Sequence, residues 1–156
     1  MKLYKAGDIA EYIIYYCDKH GYAISNLKLQ KLLYFVQAKF LVDANRPCFS
    51  DMIEAWDYGP VVPDVYREYR IYGSSNIPCS YDYNHFDYLD RDEIKIMDDI
   101  LAKVSGYTAS QLVKLTHHQS PWIDARNSFS KKISNKSIEE FFKWNTTLLL
   151  KMIKKV

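Results

Sequence analysis

Apolar residues recur at helical spacing in several stretches of the chain, separated by glycine, proline and short polar runs. The clearest set is Leu29, Leu32, Leu33, Val36 and Phe40, at offsets 0, 3, 4, 7 and 11. It predicts an amphipathic helix opening near Ser25-Asn26 and spent by Asn45-Arg46-Pro47. Ser25 and Asn26 suit the start because their short polar side chains accept orphan N–H groups of a first turn. Upstream, Ile9, Ile13, Tyr16, Cys17 and His20 predict a helix opened by an Asp8–Glu11 capping box and ended by Gly21. Phe49 to Tyr58 is aromatic and flanked by turn residues, which predicts a brief strand or extended segment. Gly59-Pro60 reads as a breaker. Pro63 suits the first turn of a helix that carries Val62, Val65, Tyr66, Tyr69 and Tyr72 and is capped by Gly73.

Ser74 to Tyr88 is irregular, with weak period-2 alternation across Ser80–Tyr83 that suggests a hairpin strand. Three more capping boxes follow, at Asp90–Glu93, Thr108–Gln111 and Ser137–Glu140. The first opens a helix through Ile94, Met97, Ile100, Leu101 and Val104, stopped by Gly106, and the second a shorter one with Leu112 and Leu115. Pro121-Trp122 starts another short helix reaching about Phe129. The last helix carries Ile138, Phe141, Phe142, Leu148, Leu149 and Met152 on one face. The pattern predicts a mainly α, compact single-domain fold of six to seven helices over residues 1–156. At most a short β-hairpin or extended segment accompanies them.

Composition narrows this little. The chain of 156 residues is 48% hydrophobic and 26% charged, which is globular and not disordered. Its cysteines (Cys17, Cys48, Cys79) form no C-x-x-C pair, and the first residues build no apolar secretory core, so a reducing cytoplasm is expected. No window of 18 uncharged apolar residues predicts a membrane span. The net charge of +2 conceals an uneven spread. Asp82 to Asp99 holds seven acids against Arg91 and Lys95, or −5, while Lys131 to Val156 holds seven lysines against two glutamates, or +5. A basic amphipathic final helix can meet nucleic acid, an acidic partner or anionic lipid. Lysine without arginine, and no defensible helix-turn-helix spacing, argue against nucleic acid.

The residue patterns of catalysis are missing. There is no G-x-S-x-G elbow, P-loop or G-x-G-x-x-G. His117-His118 is the one histidine pair, and neighbours on a helix point about 100° apart, a poor arrangement for one metal ion. No catalytic, cofactor-binding or metal-ligating residue is assigned, and no enzyme activity is expected. Tyrosine is the unusual component, at 14 residues. Tyr12, Tyr15 and Tyr16 cannot all face one helical stripe, so some are expected to be exposed or to contact a partner.

Three segments carry a resemblance. They are Leu27-Lys28-Leu29-Gln30-Lys31-Leu32-Leu33-Tyr34-Phe35, then Glu54-Ala55-Trp56-Asp57-Tyr58-Gly59-Pro60-Val61-Val62 with Val65-Tyr66, and His117 with Pro121-Trp122 and Ala125-Arg126. In this order they resemble the Panacea-domain family of SocA-type antitoxins, often found among phage-associated proteins. Met52-Ile53 stands where relatives carry Phe, and Tyr58 where many carry Trp; both keep apolar or aromatic character. The resemblance implies an antitoxin that neutralises a cognate toxin by direct protein–protein binding. Its alternatives are an adaptor that delivers a toxin to an AAA+ protease, and a phage-encoded nucleic-acid-associated regulator. A homodimer is compatible with it. Trp, Tyr and Arg dominate interface energetics, and the polar or amphipathic motif members are the contact candidates: Lys31, Tyr34, Gln37, Tyr58, Arg67 and His117. Leu29, Leu32, Leu33, Trp56, Gly59, Pro60, Val61, Pro121 and Trp122 are expected to be structural.

Overall fold

In the computed structural model, residues 2–153 are described, with side chains described as far as Trp144. The centre of the fold is helix α2 (Asn26–Asp43), buried on nearly every side. Around it pack α1 (Ala6–Lys19), α3 (Pro63–Tyr69), α4 (Arg91–Val104), α5 (Ala109–His117) and α7 (Asn135–Ile153). A short α6 (Ser120–Arg126) bridges α5 and α7. The fold is therefore mainly α, with seven helices among the described residues. None of these helices is long and apolar enough to cross a membrane.

The expectation of one-sided amphipathicity for α2 is corrected. Leu29, Leu32, Leu33, Val36 and Phe40 are fully buried, but so are the polar residues Asn26, Lys28, Gln30, Lys31 and Gln37 on the other faces. A buried polar group is tolerated only when it is hydrogen-bonded, and each of these is. Lys28 Nζ donates to the carbonyls of Ala23 and Ser105. Gln37 accepts from the backbone N–H groups of Cys48 and Phe49 and donates to the Phe49 carbonyl at 3.0 Å. That glutamine thereby fixes the start of the chain leading into the sheet.

The sheet has three antiparallel strands in the order β2-β1-β3: β1 (Ile53–Trp56), β2 (Gly59–Val61) and β3 (Lys132–Ile133). Gly59-Pro60 does not break the chain here; it enters a strand paired with β1. Pro60 is accommodated because β2 is an edge strand, where a missing N–H costs no ladder bond. The alternation at Ser80–Tyr83 produces no strand; a 3₁₀ turn at Tyr83–Phe86, capped by Asp82, follows instead.

That segment explains the tyrosines of α1. The Ile24 carbonyl accepts from Ile77 N–H, and Asn76 Oδ1 accepts from Ile24 N–H, holding the loop against the molecule. Phe86, 2% exposed, meets the rings of Tyr12 at 5.3 Å and Tyr15 at 5.2 Å. Tyr81 and His85 both reach Glu11. Tyr12 and Tyr16 are buried and Tyr15 is half-buried, so the expectation that some of the three are exposed is corrected: Phe86 covers Tyr12 and Tyr15.

Capping follows the sequence in part. The Thr108–Gln111 box forms with both bonds, and Ser25 Oγ accepts from Lys28 N–H. The Asp8 and Asp90 boxes do not form. α1 begins three residues earlier, with Lys5 at the cap position and Ala6 as the first helical residue, whose N–H donates to Asp51 Oδ1 at 2.8 Å. Glu93 turns inward, accepting from Tyr4 Oη at 2.9 Å and Arg46 at 3.1 Å. α7 also begins early, with Ser134 Oγ accepting from Ser137 N–H. In that helix Ile138 and Phe142 are buried, while Leu148, Leu149 and Met152 lie outside the residues with described side chains.

Candidate functional site

The three sequence motifs converge on the β1–β2 hairpin. Its turn is Asp57-Tyr58, since Trp56 pairs with Gly59. Gly59 has φ +111°, and a Cβ there would lie 2.5 Å from Lys31 Cε and 2.9 Å from Thr116 Oγ1. Only glycine satisfies both the dihedral and the space.

From below, α2 holds the hairpin through two side chains one residue apart. Gln30 Oε1 accepts from Val62 N–H at 3.0 Å, and Lys31 Nζ donates to the Pro60 carbonyl at 3.1 Å. Lys31 has no exposed surface, and no carboxylate pairs with it among the described residues. Desolvation therefore disfavours its charged form and pulls its pKa down to about 7. Tyr34, one turn on, donates to Gln119 Oε1 at 2.8 Å, and burial raises its pKa.

From the side, the third motif clamps the turn. The His117 ring stacks on Trp122 at 4.1 Å, and its Nε2 lies 2.9 Å from the Asp57 carbonyl. A carbonyl can only accept, so this nitrogen carries the proton. Trp122 Nε1 donates to the Trp56 carbonyl at 2.8 Å. Arg126 pairs with Asp57 at 2.9 Å, donates to the Ala55 carbonyl at 3.3 Å and lies over the Trp122 ring. Three consecutive residues of the hairpin, Ala55 to Asp57, are thus fixed by the α5–α6 corner.

These positions divide the expected contact residues. Lys31, Tyr34 and Gln37 are fully buried and bonded internally, so as surface contacts they are corrected: their side chains reach no partner in this conformation. Arg67 is exposed but tied to Asp64 at 2.9 Å, away from the hairpin's clamp. His117 is half-buried in the clamp. Tyr58 stands out from the turn, 67% exposed. Among the residues expected to be structural, Leu29, Leu32, Leu33, Gly59, Pro60, Val61 and Pro121 are buried. Trp56 and Trp122 are half-buried at the rim.

Beside the hairpin opens a groove of about 710 Å³. The hairpin residues Trp56 and Tyr58, the first turn of α2, Tyr66 and Arg70, and the Phe129–Lys131 loop line it. Phe129 is completely exposed. Sequence reasoning missed Phe129, Arg70 and Arg126 as site residues. Arg126 sits in the third motif, and Phe129 is a lone aromatic in the polar run Asn127–Lys132, so both left a signal.

Comparison with known families bears on this arrangement. The family described as "Antitoxin SocA-like, Panacea domain" matches residues 29–123, which contain Lys31, the whole hairpin, His117 and Trp122. The chain belongs to this family. Antitoxin SocA of Caulobacter vibrioides (strain NA1000 / CB15N) is 38% identical to it over 109 residues. That match covers 64% of this chain and 58% of the relative, so the chain spans less than two thirds of that protein's length. No solved structure matches it. In this Panacea domain the matched region holds the hairpin, the two α2 side chains that bond it and two of the three clamp side chains, with Arg126 just beyond it.

Proposed function

We propose that this protein is an antitoxin that neutralises a toxin by binding it directly, without a catalytic step. The observation that carries the reading is the Panacea-domain match, which takes in the hairpin and most of the groups that fix it. The similarity to Antitoxin SocA supports the same role. The physical arrangement suits binding. A turn held by backbone-directed bonds from two sides presents Tyr58 with little ordering left to lose on association, and preorganisation of that kind favours affinity.

The test is co-expression with the product of the adjacent reading frame. Growth arrest by that product, relieved when this chain is present, is the expected result. Repeating the rescue in cells lacking AAA+ proteases separates sequestration from delivery: relief should persist, with the toxin's half-life unchanged. Loss of relief there would favour the adaptor reading, and no relief in either strain would remove the antitoxin reading.

A further inference from the structure

We propose that the groove beside the hairpin is the partner-docking surface, and that it takes an acidic segment of the bound protein carrying an aromatic or large aliphatic side chain. The inference rests on the antitoxin reading and names the surface that would serve it. Tyr58 is 67% exposed and Phe129 fully exposed, and both line the same groove. Buried aromatic anchors dominate interface energetics, and an aromatic left in water is stabilised when a partner covers it.

Charge selects the occupant. Five charged side chains line the groove: Glu54, Asp57, Arg70, Arg126 and Lys131. Asp57 is neutralised by Arg126 at 2.9 Å, and Glu54 accepts from Trp56 Nε1 at 3.3 Å. Among the described residues no carboxylate pairs with Arg70 or Lys131. The first turn of α2, which also lines the groove, contains no acidic residue to offset the positive end of the helix dipole. With three cations against two carboxylates, the groove offers a net positive charge beside two uncovered aromatic rings, which a carboxylate next to an apolar side chain complements. A nucleic-acid backbone fits less well. It would find only two cations without a carboxylate partner, Arg70 and Lys131, too few for counterion release to drive tight binding.

The experiment measures binding of the adjacent-frame product to the full chain by titration calorimetry, for wild type and three variants. Tyr58→Ala/Phe129→Ala is expected to weaken binding by about 30-fold or more, and Arg70→Glu by about 10-fold with a flatter salt dependence. Trp144→Ala removes an equally bare aromatic outside the groove and is expected to bind as wild type does. Because the altered side chains are exposed, unchanged melting temperatures are expected to show that the variants fold. Wild-type affinity in both groove variants overturns the groove while leaving the antitoxin reading intact; no binding by the wild-type chain overturns both. Wild-type binding to a 20-base-pair DNA duplex or a 20-nucleotide RNA at low salt, lost in the same variants, overturns the protein-segment occupant.

Discussion

At the residue scale, the buried Lys31 is the least expected feature. In the sequence it occupies a position between Gln30 and Leu32 that reads as the polar side of a helix, and nothing local indicates that a hairpin will lie over it. Its burial has a pH consequence. The folded-state pKa of about 7 lies below the ordinary 10.5. Between those values the unfolded chain holds a proton that the folded chain has released. Stability therefore rises with pH from about 7 upward and is smallest below it, where the folded protein must bury the charge. The slope from this one group is about 1.4 kcal/mol per pH unit. Urea unfolding of wild type between about pH 7 and 9 should show it relative to Lys31→Met; parallel profiles would mean that Lys31 is not desolvated. Gly59 offers a second test. Gly59→Ala places a Cβ against Lys31 at a φ that L-residues avoid, and should cost about 2–4 kcal/mol in denaturant unfolding. A loss under about 0.5 kcal/mol would contradict the close approach.

At the scale of elements, the hairpin depends on the α5–α6 corner. Trp122→Phe keeps an aromatic ring, though a smaller one, and removes the N–H that donates to the Trp56 carbonyl. The expected cost is about 1–2 kcal/mol, with faster amide hydrogen exchange confined to residues 55–62. Exchange unchanged there would mean that the clamp does not stabilise the turn. The wrap over α1 is likewise separable. Phe86→Ala should cost about 3–5 kcal/mol and open residues 74–89 to limited proteolysis, because the rings of Tyr12 and Tyr15 lose their cover. The helices were readable because apolar spacing and stop signals are local: Gly21, Pro63 and the Thr108–Gln111 box all act where the sequence places them. Two capping boxes failed for a tertiary reason, since Asp51 reached Ala6 from another part of the chain and Glu93 was drawn to Arg46. The two-residue β3 was illegible because its pairing partner, β1, is about 80 residues away and no local alternation marks so short a strand.

At the scale of the whole molecule, the three motifs scattered between Leu27 and Arg126 become one device: a central helix below, a corner at the side and a two-residue turn held between them. The motifs were legible in the sequence, Tyr58 among them. Their division into supports and presenting surface was not, because it depends on which faces of α2 are covered. The near-zero total charge also takes on a local meaning. Lys131 lines the groove and opens the segment of +5, so the basic end of the chain begins at the proposed docking surface. Association with an acidic partner should accordingly slow as ionic strength rises. Direct binding is the central claim, and the most direct measurement is size-exclusion chromatography with light scattering on the co-expressed chain and adjacent-frame product. A single peak is expected whose mass is that of a complex containing both chains, shifted to separate peaks by Tyr58→Ala/Phe129→Ala. Separate elution of the two wild-type proteins, with the toxin nonetheless silenced in cells, would contradict it.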